Sequence, residues 1–333
     1  MNDKTLMQIQ NLSVHFPVKR GVFSKPINLK AVDNISFNIM RGETLGLVGE
    51  SGSGKTTIGR AILNALNETQ GEITYKTEKE EIDLSTLKGK ALRKFRQRMQ
   101  LIFQDPYTSL SPRMTVRDII AEPIEASGLS QGVEDTNQKV RDIAARCRLN
   151  VEHLRRFPHA FSGGQRQRIS IARSLVTNPE FVVCDESVAA LDVSIQADVL
   201  NLLKNLQNEL QLTYLFISHD LSVVAHISDR VAVLYLGKIV ELCSTRELFE
   251  KPMHPYTRAL FAAIPQIDVE KDPQAIKGEI PSPLNIPSGC RFHTRCPFAE
   301  EKCRSEEPEW RKLNDGHHIA CHFAEKTESL PLE

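Results

Sequence analysis

Three short stretches of this chain carry residues whose types and spacing suit phosphate chemistry. Residues 49 to 56 read Gly-Glu-Ser-Gly-Ser-Gly-Lys-Thr, between the apolar stretch TLGLV and the helix-like KTTIGRAILNAL. The glycines let consecutive backbone N–H groups wrap a phosphate, Lys55 reaches its β- and γ-oxygens, and the Thr56 hydroxyl suits Mg²⁺. FVVCDE at 181 to 186 is an apolar strand whose tip delivers Asp185 to the Mg²⁺ shell and Glu186 to an attacking water. A surface turn could carry the same acidic pair without chemistry, but beside a phosphate loop Glu186 reads as general base or water-orienting group. The third stretch, FSGGQRQR at 161 to 168, opens a second helix whose N-terminus can hold an anion. Two such elements imply either two ligands or one ligand shared between two subunits.

Those residues need strands and helices to hold them. Residues 6 to 16 and 35 to 40 read as strands separated by an exposed loop, PVKRGVFSKPINLK. TLGLVGE, the phosphate loop and its helix form the start of a βαβ unit. From about residue 88 to 175 the pattern is mostly helical, broken by the short strand MQLIF and the turn-rich QDPYTSLSPR. FVVCDE and TYLFIS (213 to 218) then flank the helix-like ALDVSIQADVLNLLKNLQNEL, which predicts parallel strands with crossover helices. VAVLYLGKIVEL predicts a hairpin turning at Gly237-Lys238. After about residue 250 the composition shifts to Pro, His, Cys and charge, which places an appendage there.

The 333 residues hold 42 Lys plus Arg against 42 Asp plus Glu, a net charge of zero that argues against nucleic-acid binding through bulk charge. The longest apolar runs, Val231 to Leu236 and Ala259 to Ile264, fall far short of the roughly 20 residues that span a bilayer. The first residues lack the basic start and apolar core of a signal peptide, so the expected compartment is the cytosol and disulfides are not expected. Seven cysteines then need explaining, because Cys290, Cys296, Cys303 and Cys321 crowd into residues 290 to 333.

With these motifs in this order, residues 6 to about 245 resemble the nucleotide-binding subunits of ABC transporters. The resemblance implies an α/β fold: a P-loop NTPase (RecA-like) core, an antiparallel β subdomain, an inserted helical subdomain at about 100–175 and a small C-terminal extension. It makes residues 1–250 the nucleotide-binding domain and 251–333 the extension. Gly49, Glu50, Ser51, Gly52, Ser53, Gly54, Lys55, Thr56 and Thr57 become the Walker A site for ATP. Thr56, Asp185 and Gln104 in LIFQDP become Mg²⁺ ligands. Glu186, Gln104 and His219 in FISHD become the catalytic group, with His219 donating to the γ-phosphate. Ser162, Gly163, Gly164 and Gln165 match the signature motif, and Asp192 the D-loop. Phe16 matches the aromatic residue that stacks on adenine, although a single aromatic at a strand end also packs readily in a core. Ser187 stands where Pro usually follows the glutamate, and Ala189 where Ser or Thr is common; neither change removes a catalytic group. The implied mechanism is a head-to-tail ATPase dimer, each ATP lying between Walker A of one subunit and the signature of the other.

HPYTRALFAAIP and GEIPSPLNIPSGCRFHTRCPFAEEKC are similar to the C-terminal extension of oligopeptide and dipeptide importers, as is the longer N-terminal loop. The partners implied are a second, different ATPase subunit, two transmembrane permeases and an extracytoplasmic solute-binding protein, with this chain peripheral on the cytoplasmic face of the cell (inner) membrane. The cargo implied is peptide, with nickel, glutathione or oligosaccharide as alternatives. A soluble ABC ATPase of DNA repair or translation is the competing class. It is disfavoured by the single Walker A, the roughly 107 residues from Lys55 to Ser162 and the missing heptads. The spacing C-x5-C-x6-C-x17-C fits zinc knuckles poorly. The family's matching cysteines imply a [4Fe–4S] cluster, with unligated thiols and zinc left open. Cys147, Cys184 and Cys243 read as small core residues. The basic run KGKALRKFRQR at 88 to 98 reads as a solvated helix face or a contact for phosphate headgroups or a permease loop.

Overall fold

Strands with no polar face must be covered on both sides, and this chain folds around several such strands. The computed structural model describes residues 4–19, 27–66, 69–263 and 278–327. β1 (Thr5–Val18) and β2 (Ile27–Met40) pair antiparallel as a long ribbon. β3 (Thr44–Val48) leads through the phosphate loop into α1 (Lys55–Ile62). β4 (Thr69–Lys76) and β5 (Glu81–Asp83) complete a four-stranded antiparallel sheet in the order β2-β1-β4-β5. Next come α2 (Gly89–Phe95) and β6 (Met99–Ile102). The helical subdomain follows, with α3 (Pro106–Ser109), α4 (Val116–Ser127), α5 (Val133–Arg146) and α6 (Gly163–Leu175). β7 (Phe181–Asp185), α7 (Val193–Leu210), β8 (Thr213–Ile217) and α8 (Leu221–Ile227) restore the parallel crossovers. The hairpin β9 (Arg230–Tyr235) and β10 (Lys238–Ser244) is followed by α9 (Thr245–Glu250) and α10 (Pro255–Ala262). α11 (Glu301–Ser305), β11 (Arg311–Asn314), β12 (His317–Ile319) and α12 (Ala324–Thr327) close the chain.

The larger sheet has eight strands, ordered β11-β12-β10-β9-β3-β8-β7-β6, with β9, β3, β8, β7 and β6 parallel. Alternation along these strands separates two cores. Phe181, Val183, Leu215 and Ile217 point toward the antiparallel sheet and α1. Val182, Cys184, Tyr214 and Phe216 point to the helical side, where Ile171, Leu203 and Val224 cover them. Cys147, Cys184 and Cys243 lie in that second core, as their patterns predict.

Several boundaries differ from the sequence reading. The loop expected at 17–30 shrinks, because β1 continues to Val18 and β2 begins at Ile27; residues 20–26 lie outside the described residues. Pairing along the ribbon satisfies backbone groups that a loop would leave to water. The helix expected over 55–66 stops at Ile62, with Asn64 left-handed at φ 50°. The hairpin turns at Leu236-Gly237, both with positive φ (44° and 79°), one residue earlier than expected. That turn is pinned from outside: the Gly237 amide donates to Ser53 O at 2.8 Å, and the Leu236 carbonyl accepts from Arg291. β4, β5, β11 and β12 were not foreseen. β12 pairs with β10, setting His317 across from Cys243, so residues beyond 311 extend the main sheet, and Tyr256 and Phe292 enter its helical-side core.

Candidate functional site

The phosphate loop is built where only glycine fits. At Gly49 (φ 152°) a Cβ would lie 2.2 Å from Leu234 O, and at Gly54 (φ 107°) 2.3 Å from Ala31 O. The loop is thereby pressed against the hairpin and β2, and no larger residue could take either place without moving backbone. Gly54 caps α1 without a side-chain acceptor, so the amides of the first turn stay available to an anion.

Lys55 is buried and its Nζ donates to the carbonyls of Gly49 (2.7 Å) and Glu50 (3.1 Å). Burial lowers its pKa, opposed by the carboxylates of Glu186, Asp185 and Glu50. The Thr56 hydroxyl donates to Asp185 Oδ1 at 2.8 Å. Burial raises the Asp185 pKa, offset in part by that hydrogen bond. Octahedral Mg²⁺ with bonds of about 2.0–2.1 Å has adjacent ligands about 2.9 Å apart, so this pair already spans one edge of such a site. All its donors are oxygens, as a hard cation requires.

Glu186 follows the end of β7 in a left-handed conformation (φ 46°), a strain of about 1–2 kcal/mol for a residue with a side chain. Its amide donates to Ile217 O at 3.0 Å, which aims the side chain out of the strand. Gln104 Nε2 donates to Glu186 Oε2 at 2.7 Å, and His219 Nδ1 lies 3.4 Å from Glu186 Oε1. Gln104 follows β6 and His219 follows β8, so the edges of three parallel strands converge on one carboxylate. With its nitrogen on Glu186, the Gln104 amide oxygen is left for a cation. A water held by Glu186 would face whatever phosphate Lys55 and α1 bind.

Other predicted residues stand apart from this cluster. Ser162 and Gln165 form a capping box on α6: Ser162 N donates to Gln165 Oε1 at 3.0 Å and Gln165 N to Ser162 Oγ at 3.4 Å. Gly164 lies against α7, where a Cβ would meet Ile195 Cγ2 at 2.5 Å. Asp192 caps α7, accepting from Ile195 N (2.9 Å) and Ser194 Oγ (2.8 Å), which hold its carboxyl below the usual range. Phe16 is half-buried against the antiparallel-sheet core. The Ser53 and Ser187 hydroxyls, both buried at the site, have no hydrogen-bond partner among the described residues. Missed by sequence reasoning were Arg295 and Tyr256, which both grip Glu50; a spacing of more than 200 residues gave no signal. The basic run at 88 to 98 lies mostly exposed on α2 and the turn after it, with Phe95 as its buried anchor.

The four C-terminal cysteines are neighbours. Cys290 N donates to Cys303 O at 2.8 Å, and burial raises the Cys290 pKa to about 11 and those of Cys296 and Cys321 to about 12. No three of their sulfurs approach within 4.8 Å of one another. Zinc–thiolate bonds of about 2.3 Å would place sulfurs about 3.8 Å apart, so the arrangement does not fit zinc. Among the described residues, the one set of three or more His, Cys, Asp or Glu with ligand atoms that close is Glu241, Cys243 and His317.

The ABC transporter family matches residues 32–189, and the oligopeptide/dipeptide transporter C-terminal region matches residues 240–303. The chain is 48% identical to the oligopeptide transport ATP-binding protein AppF of Bacillus subtilis (strain 168), over 97% of this chain and 98% of that protein. It is 47% identical to the dipeptide transport ATP-binding protein DppF of Haemophilus influenzae, over 95% and 96% of the respective chains. Among solved structures it is similar to MJ0796, a dimeric bacterial ABC transporter cassette, with TM-score 0.62, 25% identity, and coverage of 72% of this chain and 99% of that one. A post-hydrolysis MJ0796 dimer bound to ADP and Pi aligns with TM-score 0.61, 25% identity, and coverage of 72% and 99%.

Proposed function

The chain belongs to the ATP-binding proteins of the oligopeptide and dipeptide ABC transporters and is an ATPase, and from that premise we propose that it couples ATP binding and hydrolysis to peptide import. The observation that carries this reading is the Gln104–Glu186–His219 cluster set beside the Thr56–Asp185 pair. Lys55 and the α1 amides bind the β- and γ-phosphates, while Thr56, Asp185 and the Gln104 oxygen would hold Mg²⁺, which would supply charge neutralisation. Glu186 takes the proton of the attacking water, and His219 donates to the γ-phosphate as charge develops. Phe16 stacks on adenine. Ser162, Gly163, Gly164 and Gln165, outside this cluster, present the α6 N-terminus to the nucleotide of a facing ATPase subunit, and Asp192 lies at the same interface.

That facing subunit is a different ATPase chain, and two permeases and an extracytoplasmic binding protein complete the importer. Among the described residues no helix is long and apolar enough to cross a membrane, which fits a peripheral place on the cytoplasmic face. Residues 1–250 act as the ATPase unit and 251–333 as an extension whose four cysteines hold a [4Fe–4S] cluster. The cluster would serve as a covalent cross-link for a segment with little apolar core.

Reconstitution of the assembled transporter in vesicles, with peptide uptake and phosphate release measured together, tests the import reading. Glu186→Gln is expected to stop both; undiminished turnover overturns its role. Hydrolysis without peptide uptake, but with nickel, glutathione or oligosaccharide uptake, overturns peptide as the cargo. Colourless, iron-free protein after anaerobic purification rules out the cluster.

A further inference from the structure

The phosphate loop contains a carboxylate, that of Glu50, in the region that must attract a multiply charged anion. Left alone it would oppose the ligand, so what it contacts matters. Arg295, carried by the cysteine-bearing loop of the extension, meets it with both arms of its guanidinium: Nη1 to Oε2 at 2.7 Å and Nη2 to Oε1 at 3.0 Å. The Arg295 side chain is only 4% exposed and that of Glu50 22%, so water screens the pair weakly.

Everything around the pair fixes it in place. Tyr235, Tyr256 and Phe292 form an aromatic triad with ring centroids 4.6–5.3 Å apart. Arg295 lies over the Tyr235 ring, and its amide donates to Phe292 O at 2.9 Å. Tyr256 Oη accepts from the Glu50 amide at 3.0 Å. Arg291, four residues earlier, bonds Leu236 O and Asp33 and so fastens the same loop to the hairpin turn behind the phosphate loop. Glu50 is therefore gripped through its carboxylate by Arg295, through its amide by Tyr256 and through its carbonyl by Lys55.

We propose that Arg295 is a positioning residue of the nucleotide site: it neutralises Glu50 and fixes the phosphate loop that aims Lys55, so ATP affinity depends on the C-terminal extension. The inference rests on the ATPase reading above. Arginine suits the role because its planar fork meets both carboxylate oxygens, which lysine cannot do. Since Arg295 lies between Cys290 and Cys296, the fold of the cysteine loop is carried directly to the phosphate loop.

The test uses the full-length chain with Mg–ATP as probe for equilibrium binding, and the assembled transporter for KM and kcat. Arg295→Gln is expected to raise Kd and KM for ATP by about tenfold or more, with kcat at saturating ATP changed less than about twofold. Adding Glu50→Gln to that variant removes the uncompensated carboxylate and is expected to recover most of the loss, which a merely structural role for Arg295 would not produce. A KM within about twofold of wild type in folded Arg295→Gln, or a loss that Glu50→Gln leaves unrelieved, overturns the proposal. If Arg295→Gln does not fold, Arg295→Lys is read in its place: KM raised about threefold supports the proposal and a wild-type KM overturns it. Wild-type chain that fails to bind Mg–ATP at all overturns the ATPase reading beneath it, which separates the two failures.

Discussion

Asp185 and Glu241 are both buried carboxylates on the main sheet, at 6% and 0% exposure, yet the molecule treats them in opposite ways. Asp185 accepts one hydrogen bond, from Thr56; burial raises its pKa, and burial likewise lowers that of Lys55 nearby. Glu241 accepts from Met253 N (2.8 Å), His254 N (3.0 Å) and His317 Nε2 (2.9 Å). His317 places its other nitrogen 3.0 Å from Glu247, so two carboxylates hold it protonated and its pKa rises despite burial. His254, beside it, is pushed the other way, to about 4, by complete burial. It stays neutral, accepting from Tyr256 N and donating to Ala320 O. Charge left uncompensated marks where a ligand will supply the missing partner; charge fully paired marks a joint between strands.

That contrast predicts different losses for each region. The largest is catalytic: Glu186→Gln is expected to cut turnover by about 10²–10⁴-fold while the melting temperature holds or rises, since a carboxylate that repels Asp185 is removed and the backbone is unchanged. A matching fall in melting temperature would erase the distinction. On the other side, His317→Ala leaves Glu241 buried without its cation and is expected to cost about 3–5 kcal/mol in denaturant unfolding. Acidification should weaken the same joint. His254 has a folded pKa below its unfolded value of about 6.5, so the stability it contributes is present above that value and is lost as pH falls toward about 4. The loss is about 3 kcal/mol, read as the pH slope of unfolding that His254→Asn abolishes. His317 has the opposite sign: its contribution is full below about 6.5 and fades as pH rises through its raised folded pKa. The smallest effect belongs to the ligand. Mg–ATP at a hundred times its Kd should stabilise the chain by about 2.7 kcal/mol, and Lys55→Ala should remove most of that shift.

Much of the ATP site was legible because its parts are local. Gly49 to Thr56 spell out a loop whose backbone geometry the glycines dictate, and Asp185-Glu186 end a strand too apolar to lie elsewhere. The strands at 6–16 and 35–40 and the helical insertion were also visible in hydrophobic period, whereas β4 and β5, which complete the antiparallel sheet, were not. Harder to see were segments whose partners lie far along the chain. The residues around Lys30 look like a polar loop until β1 pairs with them, and RKLN and HHI have no strand signature without the edge of β10.

The sequence by itself singled out the candidate residues: Lys55, Thr56, Asp185 and Glu186 stand out by type and spacing, because backbone shape over a few residues needs no distant information. Tertiary structure decided how those residues are held. Only the folded sheet brings Gln104 and His219 to Glu186, and only the return of the extension sets Arg295 and Tyr256 on Glu50. Electrostatic pairing depends on distance in space and on the water that burial excludes, and neither is written in the order of residues.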